Sequence, residues 1–353
     1  MSEKVTAYVS TRNRYYSSLP PMITSVALQT RPPEKFWIFD DGEQKDLRQD
    51  SVYENLFKLL ECRGIEWKVF FGDRKGQVLN HQKALEWADT EWIWRLDDDN
   101  IADPNVLETL LKQVEDDKDK KIGAVASLVW MPGITGYYKP PFVSGKIEDI
   151  NKPNLQWCNF DGNIEAEHLH NTFLYRKEAG KHGYCMELSP VGHREESLFS
   201  YGIIRNGYKI IVNGDCITWH CRQGTGGIRT SEIHREENFK HDELIFQTKM
   251  KEMGIDLAPF FVVILDSGLG DHLAFKHILP DLKKKHPKIL IGCCYPEVFK
   301  YDTDIEITSI VEAGLLDNPE KHQIYKWMWD RNWKKTLVEA YREMYGLENL
   351  ALP

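Results

Sequence analysis

No apolar run in this 353-residue chain approaches the roughly 18 residues that a membrane-spanning helix needs. The longest, Phe260 to Leu265, is only strand-sized. Excess positive charge is missing too. The 45 Lys+Arg stand against 54 Asp+Glu for a net charge of -9, which argues against a surface built to track a nucleic-acid backbone. The seven cysteines (Cys62, Cys158, Cys185, Cys216, Cys221, Cys293, Cys294) are odd in number and never form CxxC. A zinc ribbon or a disulfide framework is therefore not expected, and a reducing, cytoplasmic compartment is. The opening MSEKVTAYV lacks the basic-then-apolar pattern of a secretory signal. No internal repeat is visible.

What the chain does have is alternation. At roughly 150 residues per domain the length predicts about two domains. In the first hundred residues strand-like runs (VTAYVS, KFWIFDDG, WKVFFGD, EWIWRL) alternate with helix-like ones (LPPMITSVALQT, VYENLFKLLECRG, VLNHQKALEWA). Such alternation predicts a largely parallel sheet flanked by helices, with ligands at the carboxyl ends of the strands. Three strands run straight into polar clusters there: Ser10-Thr11-Arg12-Asn13, Asp40-Asp41-Gly42 and Asp97-Asp98-Asp99-Asn100. Three neighbouring aspartates repel and raise one another's pKa, a cost that a divalent cation relieves. Taken alone, the same residues also suit a helix N-cap or a tight turn.

Beyond this stretch, Pro132 to Leu169 reads as loop. NTFLYR, YKIIVNG and DCITWH read as strands, EESLFSYGIIRNG as a helix, and Ser231 to Met253 as a polar helix ended by Gly254. The tail restarts as strand, SGLGD turn, helix and strand, followed by DIEITSI and one long final helix. Three domains of organisation are expected: residues 1–230, a connecting helix over 231–256, and an accessory domain over 257–353.

The segment from Lys4 to Arg229 resembles the family 2 glycosyltransferases of GT-A fold. VSTRNR is similar to that family's first-strand motif, QTRPPEKFWIFDDG to its helix-loop-strand run, and LDDDNIADPNVLETLL to its DXD motif with the trailing proline and helix. The resemblance implies a nucleotide-sugar donor, UDP or dTDP. It places Ser10, Thr11 and Arg12 at base and ribose, Asp41 on the base's imide N–H, Arg74 or Lys75 on the donor side, and Asp97 or Asp98 at ribose and diphosphate. It gives Mn2+ or Mg2+ to Asp99 and His220. HREESLFSYGIIRNGYKIIV resembles the family's ED-containing helix and implies Glu196 as general base of an inverting transfer, with adjacent Glu195 as the other candidate. A retaining transferase, or a non-catalytic sugar- or partner-binding protein on the same scaffold, is the alternative. The glycine-rich CRQGTGGIR, with Arg222 and Arg229, could close over the diphosphate. Where the family commonly has Ala-Arg-Asn, this chain has Asn80-His81-Gln82, so the donor contacts there differ.

The acceptor is expected near His170 and Asn171 and the aromatic segment Gly133 to His170 (Tyr137, Tyr138, Trp157). A saccharide is favoured, with a modified nucleobase also open. FFVVILDSGLGDHLAFKHILPDLKKKHPKILI resembles the first strand-turn-helix-strand of family 9, heptosyltransferase-like enzymes. That implies a Rossmann-like half domain, too short to be an enzyme alone and suited to docking or homo-oligomer formation. Tyr325, Trp327, Trp329 and Trp333 are read there as core or interface.

Overall fold

The computed structural model describes residues 3–133, 143–222, 224–228, 234–255, 257, 260–314 and 317–347. Internal contacts divide the chain into two units, Met1–Asp256 and Leu257–Pro353. Among the described residues no helix is long and apolar enough to cross a membrane.

The first unit runs β1 (Val5–Thr11), α1 (Leu19–Ala27), β2 (Lys35–Asp40), α2 (Ser51–Cys62), β3 (Glu66–Phe71), α3 (Gln77–Trp87), β4 (Trp92–Asp97), β5 (Asn100–Ala102), α4 (Val106–Glu115), β6 (Ile122–Trp130), β7 (Asn163–Ala166), β8 (Phe173–Arg176), α5 (Glu195–Arg205), β9 (Lys209–His220) and α6 (Arg235–Glu252). These strands form one mixed sheet in the order β3-β2-β1-β4-β8-β6-β9-β5, with β7 also on β9. The first four are parallel. β8 lies antiparallel between β4 and β6. The central strands β1, β4 and β6 are buried almost throughout, hence their near-continuous apolar sequences, while edge strand β3 is at most half-buried and carries Glu66 and Lys68. Ile23 and Val26 of α1 and Leu107 and Leu110 of α4 pack against Val9, Trp94 and Leu96 in one core.

The sequence predicts two strands, YKIIVNG and DCITWH, where the protein builds one. β9 continues through Gly214, and its pairing with β6 jumps from Asn213 to Ile217. A Cβ at Gly214 would lie 2.0 Å from the Phe160 carbonyl oxygen, so only glycine fits at this irregularity. The antiparallel pair β5–β9 then sets Asn100 opposite His220. The polar helix expected from Ser231 appears as α6 from Arg235; residues 231–233 lie outside the described residues.

The second unit has its own parallel sheet, β10 (Phe261–Leu265), β11 (Ile289–Cys293) and β12 (Glu306–Thr308), with α7 (Leu269–Lys285) crossing from β10 to β11. The single final helix of the sequence reading is broken into α8 (Ile310–Ala313), α9 (Ile324–Asp330) and α10 (Leu337–Met344). Pro319 opens a short 3-10 turn, Asn332 sits in the left-handed region at φ 48°, and Thr336 starts α10 with a reciprocal cap to Glu339. Trp327 and Trp333 pack on the core, whereas Tyr325 and Trp329 are exposed.

Phe275 is fully buried in this unit against Phe299, Tyr341 and Tyr345. Phe275→Ala should cost about 3–5 kcal/mol. In a calorimetric scan this should lower the transition of the second unit and leave that of the first in place.

Candidate functional site

The carboxyl ends of β1, β2 and β4 open into one pocket of about 860 Å³, solvent at its mouth included. β1 brings Ser10, Thr11 and, just beyond, Arg12 and Arg14. β2 brings Asp41, β4 brings Asp97 to Asp99, and the first turn of α5 brings Glu196. His170 and Asn171 enter from the loop before β8, and His220 from the end of β9. Glu195, Arg74 and Arg222 do not line it. Arg229 lies outside the described residues, as do Tyr137 and Tyr138. Trp157 stands edge-on to His170, centroids 5.0 Å apart.

The three aspartates are not equivalent. Thr11 Oγ1 donates to Asp98 Oδ2 at 2.8 Å, and Arg14 Nη1 lies 2.8 Å from Asp98 Oδ1 and 2.7 Å from Asp99 Oδ2. His220 Nε2 is 3.4 Å from Asp99 Oδ1, placed by the Asn100–His220 pairing. Burial pushes Asp98 up to about 7, with Arg14 opposing and Asp99 adding. Burial acts on Asp99 too, but His220 and Arg14 outweigh it and hold that carboxyl well below the usual range. Asp97 has the most exposed side chain of the three, at 30%.

Asp40 and Asp41 divide their work. Asp40 accepts from the Tyr15 hydroxyl and the Gly42 N–H. Asp41 Oδ1 accepts from Arg74 N–H and Oδ2 from Gly76 N–H, each at 2.8 Å, so it organises the loop ahead of α3. Each Asp41 oxygen keeps a second lone pair for a ligand. Arg74 acts here through its backbone; its side chain is exposed, as is that of Arg222.

Two adjacent glutamates begin α5 and point to different places. Glu195 is 1% exposed and accepts both Arg95 Nη groups, with Nη1–Oε2 at 2.8 Å. His81 Nε2 stands 3.6 Å from it. Burial pushes Glu195 up to about 7, against the lowering by Arg95. Glu196 lines the pocket, its Oε1 3.4 Å from His170 Nε2.

Arg14, Arg95 and Gln77 also belong to the site and were not singled out from sequence, while His81, noted where the chain departs from Ala-Arg-Asn, lines it as well. For Arg95 a signal existed: a lone cation inside the buried run WIWRLD demands a buried partner. Segment 224–228 meets β1 directly. Gly227 N–H donates to Arg12 O at 2.7 Å, and a Cβ on Gly226 or Gly227 would fall 2.7 Å from Asn13 O or Arg14 Nη2.

Residues 6–163 match the model of glycosyl transferase family 2, less than half of the chain. Among solved structures, Staphylococcus aureus TarS 1-349 in complex with UDP-GlcNAc aligns at TM-score 0.50 and 15% identity, over 97% of this chain and 90% of that one. GalNAc-T7 with UDP, GalNAc and Mn2+ aligns at TM-score 0.47 and 14% identity, over 72% of this chain and 58% of that one. This chain thus spans little more than half of GalNAc-T7. No curated protein matches. The sheet order, the family match and the TarS alignment establish a GT-A fold followed by a small separate parallel sheet.

Two buried histidines near the pocket stay neutral. Burial, with the charges of His170 and Arg194, lowers His168 to about 3, and its Nδ1 lies 3.2 Å from the Asn154 amide nitrogen. Burial and Arg95 hold His81 well below its ordinary value. Both folded-state values are depressed, so their contribution to stability is complete above pH 6.5 and is lost as pH falls towards 3. Melting temperature should therefore drop on acidification through this window. His168→Asn should shallow the slope by up to about 1.4 kcal/mol per pH unit.

Proposed function

We propose that this protein is a glycosyltransferase that moves a sugar from a nucleoside diphosphate, UDP first, to an acceptor hydroxyl. The observation that carries the reading is the convergence in one pocket of the ends of β1, β2 and β4 with the first turn of α5. A donor floor and a carboxylate able to take a proton thus face the same space. Ser10, Thr11, Arg12 and Asp41 are assigned to the nucleoside, and Asp97 and Asp98 to ribose and diphosphate. The polar demand of such a ligand matches the pocket. Asn171, which lines the pocket, has its Nδ2 buried without a hydrogen-bond partner in the chain. The family match and the UDP-sugar complex of TarS agree with this donor class.

Asp99 and His220 fit a divalent cation by their chemistry, a hard oxygen beside an imidazole nitrogen. Among the described residues no three His, Cys, Asp or Glu side chains converge into a cage. These two residues would hold the ion, and its remaining ligands would have to come from outside the chain. A bound Mn2+ or Mg2+ would neutralise charge on the departing diphosphate.

The chain's own residues do the rest. The acceptor oxygen forms a bond to the anomeric carbon as that carbon's bond to the diphosphate oxygen breaks, and Glu196 takes the hydroxyl proton. His170, beside Glu196, is placed to orient that carboxylate or the acceptor. Glu195 is committed to Arg95 and is read as structural support, which makes Glu196 the base of an inverting displacement. Arg222 and Arg229 are kept as candidate diphosphate contacts.

UDP should raise the melting temperature in a Mn2+-dependent way. Glu196→Gln should lower turnover about 100-fold or more with the UDP shift retained. Glu195→Gln should instead destabilise the fold by about 3–5 kcal/mol, because Arg95 loses its buried partner. Absence of any nucleotide shift would sink the donor assignment, and NMR detection of product with retained anomeric configuration would sink the inverting one.

A further inference from the structure

α6 buries a single stripe, Asp242, Phe246 and Met250, and the rest of its surface is mostly polar. An aspartate in the middle of such a stripe is costly to bury unless its oxygens are used. They are. Asp242 is 0% exposed; its Oδ1 accepts from Ser189 N–H at 2.6 Å, and its Oδ2 accepts from the Ser189 hydroxyl and from His193 N–H, both at 2.8 Å. Next to it, Glu243 Oε2 lies 3.2 Å from Arg194 Nε and 3.4 Å from His193 Nε2. Arg194 is the residue before α5, in the left-handed region at φ 67°.

The turn so gripped, residues 189–194, joins two parts of the site. At one side Gln77 Nε2 donates to Val191 O at 3.2 Å, and Gly76, whose N–H meets Asp41, lies so close to Pro190 that a Cβ would sit 2.3 Å from its carbonyl oxygen. At the other side the chain passes directly into Glu195 and Glu196.

We infer that Asp242 is a positioning residue for the transfer: its three hydrogen bonds fix the 189–194 turn and thereby the place from which Glu196 reaches the pocket. The inference rests on the reading of Glu196 as base. No single orientation of an asparagine reproduces the carboxylate, since its NH2 must oppose either Ser189 N–H or His193 N–H. Asp242→Asn is therefore a specific lesion, and Ser189→Ala, which removes only the hydroxyl, is a gentler one.

The test uses the full chain. It measures UDP release from the UDP-sugar that the unaltered protein hydrolyses, UDP affinity by titration, and amide exchange at Ser189 and His193. Asp242→Asn should speed exchange at both amides and lower kcat about 10- to 100-fold, with UDP affinity within about threefold. Ser189→Ala should move kcat the same way by less. Faster exchange with unchanged kcat overturns the inference, as does equal loss of kcat and UDP binding, or a Ser189→Ala variant with the kcat of the unaltered protein. Should Glu196→Gln leave hydrolysis intact, the base assignment fails by itself. A kcat loss in Asp242→Asn would then have to act through another group, and the inference as stated falls with a distinguishable signature.

Discussion

One buried guanidinium ties the site together. Arg95 projects from β4 two residues before Asp97, holds Glu195 with both terminal nitrogens, stands 3.8 Å from Asp97, and gives its carbonyl oxygen to the Thr172 hydroxyl. Two segments far apart in sequence, β4 and the start of α5, are thus joined through one side chain, and the loop before β8 is joined to the same residue through its backbone. An ion pair this deep adds little net stability, because desolvation offsets most of the attraction, but losing one partner leaves the other exposed to the full cost. The pair therefore acts as a constraint on geometry more than as a source of stability, and it lets two neighbouring glutamates differ: one is spent on holding Arg95, the other lines the pocket.

Charge balance in the pocket follows the same logic. Arg14 is shared between Asp98 and Asp99, and His220 reaches Asp99 from the opposite edge of the sheet. The backbone is also held in uncommon conformations around this cluster. Asn13, Arg74, Asn171, Arg194 and Arg222 all have positive φ, on the loops that carry or border the site. Such residues persist only where surrounding contacts over-determine them. The contacts are visible for Arg74, whose N–H is taken by Asp41, and for Arg194, held by Glu243, Ile150 and Asn151.

Much of the fold was legible because its signals are local. Strand-helix alternation through Asp99 and the glycine and proline stops need no tertiary information. The continuity of β9 through Gly214 was not legible, since it depends on Phe160 lying against that glycine. The broken final helix was missed because apolar spacing masked Asn332 and the Thr336 cap. Within the site, the gathering of Ser10, Asp41, Asp97 and Glu196 follows from strand ends meeting at one edge. The distinction between Glu195 and Glu196 does not, because both stand in the same helical turn and only the partner of Arg95 separates them. Asp242 was invisible for a related reason: KHDELIFQ reads as a solvated face, and nothing local says which acid is turned inward.

α6 has one further property. A helix that buries only Asp242, Phe246 and Met250 should open at a lower free energy than a nine-stranded sheet whose central strands are buried almost throughout. Warming or mild denaturant should therefore release the 189–194 turn while Val9, Trp94 and Leu96 remain packed. Local order around the pocket and global foldedness would then be two thresholds, with the sensitivity of the first set by fraying of α6 and not by the depth of the core.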